Sequence, residues 1–308
     1  MNFKKFFVGK KVTLMGLGLL GRGVGDAAFL AKCGANVLVT DLKSKKELAP
    51  SLKKLKKYKN IKYVLGGHRL ADFRNCDFTL KAAGVPLDSP YIAEAKKHGI
   101  PIEMDASLFF KLMPKGVIFI GVTGTRGKTT TAYLIYEILK RLNLKDRKGS
   151  TFLAGNIKNT ATLPLLEKVK AGDFIVAELD SWQLQGFGDS KVSPHIAVFT
   201  TFLDDHLVYY HGDRQMYFEA KAAIFRYQKS DDVLIVGDGD ELVTNIEKFN
   251  PDLIVLDLIM PKTDGFMCRL RPRCRSGARN PRRDFQKSNG RFQGCTRPFG
   301  ISQDSAWS

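Results

Sequence analysis

Twice in this chain a short apolar run stops at a cluster of glycines and a helical pattern begins at once. The first is the run 11–15, followed by Gly16-x-Gly18-x-x-Gly21. The second is the run 116–120, followed by Gly121 and then Gly124-x-x-Gly127-Lys128-Thr129-Thr130. A glycine-rich turn between a buried strand and a helix gathers backbone N–H groups and the positive end of the helix at one spot, which suits a phosphate. Further apolar runs at 35–40, 61–65, 174–178, 195–199 and 233–236 alternate with helical stretches at about 22–33, 43–59, 131–142 and 214–227. Pro90, just after Ser89, opens another helix. Alternation of this kind predicts an α/β fold: parallel sheets with covering helices, in two domains that meet near residue 103.

Each glycine motif admits a specific chemistry. Asp41 lies twenty residues beyond Gly21, so the first motif reads as a dinucleotide fingerprint with the acid on a ribose hydroxyl. An NAD(P)-dependent oxidoreductase is therefore one reading, although the same geometry serves any nucleotide diphosphate. In the second motif Lys128 can reach the terminal phosphates of a nucleotide and the Thr129 hydroxyl can hold Mg²⁺. It departs from the strict phosphate-loop spacing, because Val122 stands where the first glycine belongs. Glu178 ends one strand, and His206 follows Asp205 beyond another. Both stand at the carboxyl edge of a parallel sheet, where such sheets bind their ligands.

Four segments together resemble the Mur ligases. GVTGTRGKTTT (121–131) resembles their ATP loop, and Ala154-Gly155-Asn156-Ile157 their G-N-I-G segment. Residues 177–184 (AELDSWQL) resemble E-L-S-S-[FW]-Q-L. Asp205-His206-Leu207 with residues 217–225 resembles D-H-L…Y-x-x-x-K-x-x-I-F. The glycine start at 16–21, the loop 82–85 and the linker 100–105 are similar to the branch of the family that adds D-glutamate. The resemblance covers about residues 8–236. It implies a Rossmann-like domain for the UDP substrate (1–103), a central P-loop ATPase-type domain (104–260) and a third domain carrying the amino-acid site. It implies ATP and UDP-N-acetylmuramoyl-L-alanine as substrates, D-glutamate as the added amino acid, and Mg²⁺ at two sites.

By the same resemblance, ATP falls to Gly124, Thr125, Arg126, Gly127, Lys128, Thr129 and Thr130. The UDP substrate falls to Gly18, Leu19, Leu20, Asp41, Ala83 and Gly84, with Asn156, Asp180, Ser181 and Gln183 on the side of the central domain. Metal falls to Thr129, Glu178, His206 and Lys221, the last as a carbamate, and the catalytic set to Lys128, Lys221 and His206. Three positions depart from the family: Lys158 for the second Gly of G-N-I-G, Asp180 for the first Ser of E-L-S-S, and Thr201 where an Asn is usual.

The formal charge of +18 raises nucleic acid or an anionic membrane as a partner, but it is unevenly placed. Residues 268–308 hold nine Arg, one Lys and two acids, whereas the rest is Lys-rich. The tail 261–308 has no strand or helix period and reads as disordered or foreign sequence. Residues 251–265 look like the phospho-acceptor segment of a response-regulator receiver, with Asp257 at a strand end, but the spacing to Asp238 and Asp240 is too short for a working receiver. A third ligase domain is not legible here, so the expectation is a ligase broken off near residues 237–267, poor in turnover. Five cysteines without a paired framework suggest a reducing cytoplasm. No apolar run reaches the roughly 18 residues of a membrane span. Nucleic acid is disfavoured as a partner, and a monomer is expected.

Overall fold

The computed structural model describes residues 3–86, 88–146, 149–157, 160–205 and 207–237, and as backbone strands 255–259 and 269–273. The first sheet holds β1 (Lys11–Met15), β2 (Asn36–Asp41), β3 (Ile61–Leu65), β4 (Phe78–Lys81) and β5 (Ile102–Glu103), all parallel, in the order β3-β2-β1-β4-β5. Helices α1 (Phe3–Phe7), α2 (Arg22–Lys32), α3 (Ala49–Leu55) and α4 (Pro90–Lys97) surround it. After α5 (Asp105–Leu112) the chain enters a second sheet. Its strands are β6 (Ile118–Thr123), β7 (Thr151–Gly155), β8 (Phe174–Glu178), β9 (Ile196–Phe199), β10 (Val233–Gly237), β11 (Val255–Ile259) and β12 (Arg269–Arg273), in the order β12-β11-β10-β9-β6-β8-β7. All its pairings are parallel except β11 with β12. Its helices are α6 (Lys128–Asp146), α7 (Ser181–Asp189) and α8 (Arg214–Ala222).

The strands are nearly continuous apolar runs because helices cover both faces of each sheet. One core joins the two sheets. Val12, Leu14 and Phe78 of the first sheet share it with Phe119, Ile175 and Phe199 of the second, and Leu108 and Phe109 of α5 lie in the same cluster. Helix α2 comes so close to the second sheet's loops that a Cβ on Gly25 would lie 2.6 Å from Ala161 Cβ. Polar ties reinforce the contact, with Lys32 Nζ 2.8 Å from Glu167 Oε1 and Arg22 Nη2 donating to Asn156 Oδ1 at 2.8 Å.

Several elements differ from the sequence expectation, among them β12, a strand inside the tail read as having none. The Lys-rich helix is only Ala49–Leu55, with Pro50 in its first turn. Residues 44–47 instead form a turn in which the Glu47 carboxylate accepts from both the Ser44 amide and hydroxyl. The helix expected at 214–227 stops at Ala222, and α6 begins at Lys128 itself, inside the glycine motif. Residues 255–259 form a strand parallel to β10, in register from Leu234 opposite Val255 to Gly237 opposite Leu258. They therefore continue the second sheet, as one of its own strands.

Candidate active site

The second glycine loop is held by its neighbours rather than by its own turns. Thr125 N donates to Thr201 O at 2.7 Å, Arg126 N to Thr201 Oγ1 at 2.9 Å and Leu203 N to Thr125 Oγ1 at 2.9 Å. Thr200 Oγ1 donates to Arg126 O at 2.5 Å. Thr201 thus ties the β9 loop to the phosphate loop. Gly124 has φ of +143°, and a Cβ there would collide with Thr200 Oγ1. Gly124→Ala is expected to lower stability by about 1–3 kcal/mol and to abolish nucleotide binding, read by denaturant melts and nucleotide titration.

Two lysines grip this loop. Lys128 Nζ donates to Thr125 O at 3.0 Å, and Lys221 Nζ, from α8, donates to Gly124 O at 2.8 Å. Lys221 is only 1% exposed and lies 4.9 Å from the centre of the Tyr217 ring. Burial, helped by the nearby Lys128 charge, pushes its pKa down to about 7. A lysine in that state is half neutral at physiological pH, which an exposed lysine is not.

A cavity of about 420 Å³ opens on this loop. Thr125 to Thr130 line one wall, and Asn156, Glu178, Asp180, Ser181 and Lys221 line the other. Glu178 is buried at the end of β8, and its carbonyl accepts from Asn156 N at 2.7 Å. Asp180 caps α7, accepting from Gln183 N at 2.7 Å, and burial raises its carboxyl pKa. Gln183 is wholly buried and lines neither this cavity nor the next one. His206 lies outside the described residues. Among the described residues no group of three or more His, Cys, Asp or Glu could hold a metal. Thr129 and Glu178 nevertheless line one cavity, and hydroxyl and carboxylate oxygens are donors that suit Mg²⁺.

A second cavity, of about 760 Å³, lies over the first glycine loop. Gly18, Leu19, Leu20, Ala83 and Gly84 line it together with Lys43 and Lys81. Asp41 sits behind this loop, not in the cavity. Its Oδ2 accepts from Leu17 N at 2.8 Å and Gly18 N at 2.9 Å, and its Oδ1 from Lys43 N at 2.8 Å. The carboxylate shapes the turn that a diphosphate would meet. Asp41→Ala leaves three amides without an acceptor. It should cost about 3 kcal/mol of stability and weaken UDP binding at least tenfold, measured by denaturation and UDP titration. The two cavities share Asn156, Asp180 and Trp182, so they form one cleft running from the first glycine loop to the second.

Residues 10–103 match the MurD-like N-terminal domain of Mur ligases, and residues 122–258 match the Mur ligase middle domain. The chain belongs to the Mur ligase family. UDP-N-acetylmuramoylalanine--D-glutamate ligase of Roseiflexus sp. (strain RS-1) is 39% identical over 235 residues, which is 76% of this chain and 48% of that protein. The enzyme of the same name from Clostridioides difficile (strain 630) is 36% identical over 247 residues, 80% of this chain and 52% of that one. The chain spans about half the length of the curated relatives it matches. A solved UDP-N-acetylmuramate:L-alanyl-gamma-D-glutamyl-meso-diaminopimelate ligase from Neisseria meningitides shares the fold, with a TM-score of 0.55 at 18% identity, over 81% of this chain and 78% of that one.

The N-terminal match gives the first glycine motif to a Mur ligase domain rather than to a dinucleotide-dependent reductase. The middle-domain match runs through residue 258, so residues 251–258 of the receiver-like segment, Asp257 among them, fall within it. Sequence reading missed one network in this Mur ligase cleft. Lys81, at the end of β4, donates to Gln185 Oε1 on α7 at 2.9 Å; Gln185 Nε2 donates to Tyr209 OH at 3.2 Å; Tyr209 OH donates to Val85 O at 2.8 Å. These bonds fasten the 82–86 loop to the second sheet's helices. Burial pushes Lys81 down to about 8. The one signal in sequence was a lysine closing the apolar run Phe78-Thr79-Leu80.

Proposed function

We propose that this chain carries the nucleotide-binding cleft of an ATP-dependent ligase that joins D-glutamate to UDP-N-acetylmuramoyl-L-alanine in peptidoglycan synthesis. The observation that carries the reading is the single cleft with a phosphate-type glycine loop at each end. A UDP substrate held at Gly18, Leu19, Leu20, Ala83 and Gly84 extends its L-alanyl carboxylate past Asn156 and Asp180 toward Lys128. The carboxylate attacks the γ-phosphorus of ATP and ADP leaves, which forms an acyl phosphate. The amine of D-glutamate then attacks the acyl carbon, phosphate leaves with the C–O bond electrons, and the amine gives up a proton.

Positive charge must gather where the phosphoryl group moves. Lys128 and the N-terminus of α6 supply it from this chain. Bound Mg²⁺, held by Thr129 and Glu178 with His206 as a further ligand, would neutralise the phosphate oxygens. Lys221, poised near neutrality, can add to CO₂ and lose a proton. The carbamate so formed would offer an anionic oxygen ligand to a second Mg²⁺. Action as a monomer in the cytoplasm belongs to the same proposal.

The test is trapping of the acyl phosphate. Incubation with ATP, Mg²⁺ and UDP-N-acetylmuramoyl-L-alanine, followed by borohydride, should yield the reduced alaninol product. It should not when ATP is omitted or when Lys128 is replaced. ATP-independent product, or none with the nucleotide bound, contradicts the reading.

A further inference from the structure

Residues 43–62 hold nine lysines, at 43, 45, 46, 53, 54, 56, 57, 59 and 62, and a single acid, Glu47. All nine are exposed, and among the described residues none of them makes a salt bridge. A face that is merely solvated usually intersperses the two signs of charge, because like charges packed together repel. Glu47, tied to Ser44 and facing Lys43, is one negative charge against nine positive ones. Lys62 on the edge strand β3 is explained as a guard against edge pairing. The other eight are not.

The lysines surround an apolar groove. Between α3 and β3 lies an open cavity of about 840 Å³, floored by Leu52, Tyr58, Tyr63 and Leu65 and rimmed by Lys45, Lys53 and Lys56. Tyr63 is 37% exposed at the open side of the groove. An apolar floor under a cationic rim matches an anionic amphiphile. The details favour a bilayer over nucleic acid. Every cation is Lys, a point charge, and none is the Arg fork that reads bases and phosphates. Tyrosines with leucines are the set that settles at a lipid headgroup boundary.

We propose that the α3–β3 face, centred on this groove, docks the protein onto an anionic phospholipid surface. Each lysine near such a surface adds roughly fivefold to the affinity, and the effect is screened by salt. The test is sedimentation of the full chain with phosphatidylcholine vesicles, with and without phosphatidylglycerol, at low and high salt. Binding is expected only with phosphatidylglycerol and is expected to weaken with salt.

The triple variant Lys45→Glu, Lys53→Glu, Lys56→Glu should weaken it by at least about tenfold, whereas Lys96→Glu, Lys97→Glu, Lys115→Glu, with the same change in net charge, should weaken it by less than about threefold. Tyr63→Ser should weaken it about threefold without any change of charge, and thermal melts check that each variant folds. Absence of binding overturns the proposal, as does equal loss from the two triple variants, which would assign binding to net charge or to the Arg-rich residues 268–308. Tighter groove-dependent retention by DNA than by the vesicles overturns it too.

Discussion

Lys221→Met should make this protein more stable near neutral pH and less able to work. Lys221 is 1% exposed, and burial pushes its pKa from 10.5 down to about 7. In the unfolded chain it is an ordinary lysine. Between pH 7 and pH 10.5 the unfolded state therefore holds a proton that the folded state lacks, and stability rises with pH across that window by about 1.4 kcal/mol per unit. Below pH 7 both states are protonated and the full cost of burying the charge is present. Methionine fills a similar volume without the charge. The gain in stability on going from pH 7 to pH 9 should shrink by about 2–3 kcal/mol relative to the parent, in CO₂-free buffer, read by urea melts at the two pH values. An unchanged pH slope would mean that Lys221 is not the buried titrating group. The same variant cannot form a carbamate, so trapping of the acyl phosphate should fall to background.

Lys128→Ala is expected to produce the largest functional loss. The ammonium group sits at the start of α6, beside the loop whose Thr125 carbonyl it now caps at 3.0 Å. In phosphoryl transfer its charge acts most strongly on the transition state, so the rate of acyl phosphate formation should fall roughly 10²–10³-fold. UDP affinity should not change, because the loop at 16–21, where the UDP site is proposed, belongs to the other sheet. A parallel loss of UDP binding would show that the variant damaged the fold instead.

Much of this site was legible because its chemistry is local. A glycine loop between a strand and a helix needs residues that tolerate unusual φ, and Gly16, Gly18, Gly21, Gly124 and Gly127 all adopt positive φ here. Asp41 shows the limit of such reading. Its position at the end of β2 was evident, but whether its carboxylate meets a ribose or the loop amides depends on how residues 16–18 turn, and they turn toward it.

The Lys81–Gln185–Tyr209–Val85 network was not legible, since its members are 104 and 124 positions apart across two sheets and no local pattern marks them. The α3 boundaries were misjudged for a different reason: lysine content gives no start signal, whereas Pro50 did. Residues 251–265 resembled a receiver because an acid on an apolar strand is common to many parallel sheets, but β11 places Asp257 at its middle and not at its end, where a phospho-acceptor would stand. Only the pairing of residues 255–258 with β10 and the family match set β11 in this sheet.

Isothermal titration of the chain with Mg-ATP and with UDP-N-acetylmuramoyl-L-alanine, each in the presence and absence of the other, tests the two-ended cleft most directly. The account predicts that both bind together, that Lys128→Ala weakens only ATP, and that Asp41→Ala weakens only the UDP substrate. Mutual exclusion of the two ligands, or displacement of the UDP substrate by NADH, would contradict it.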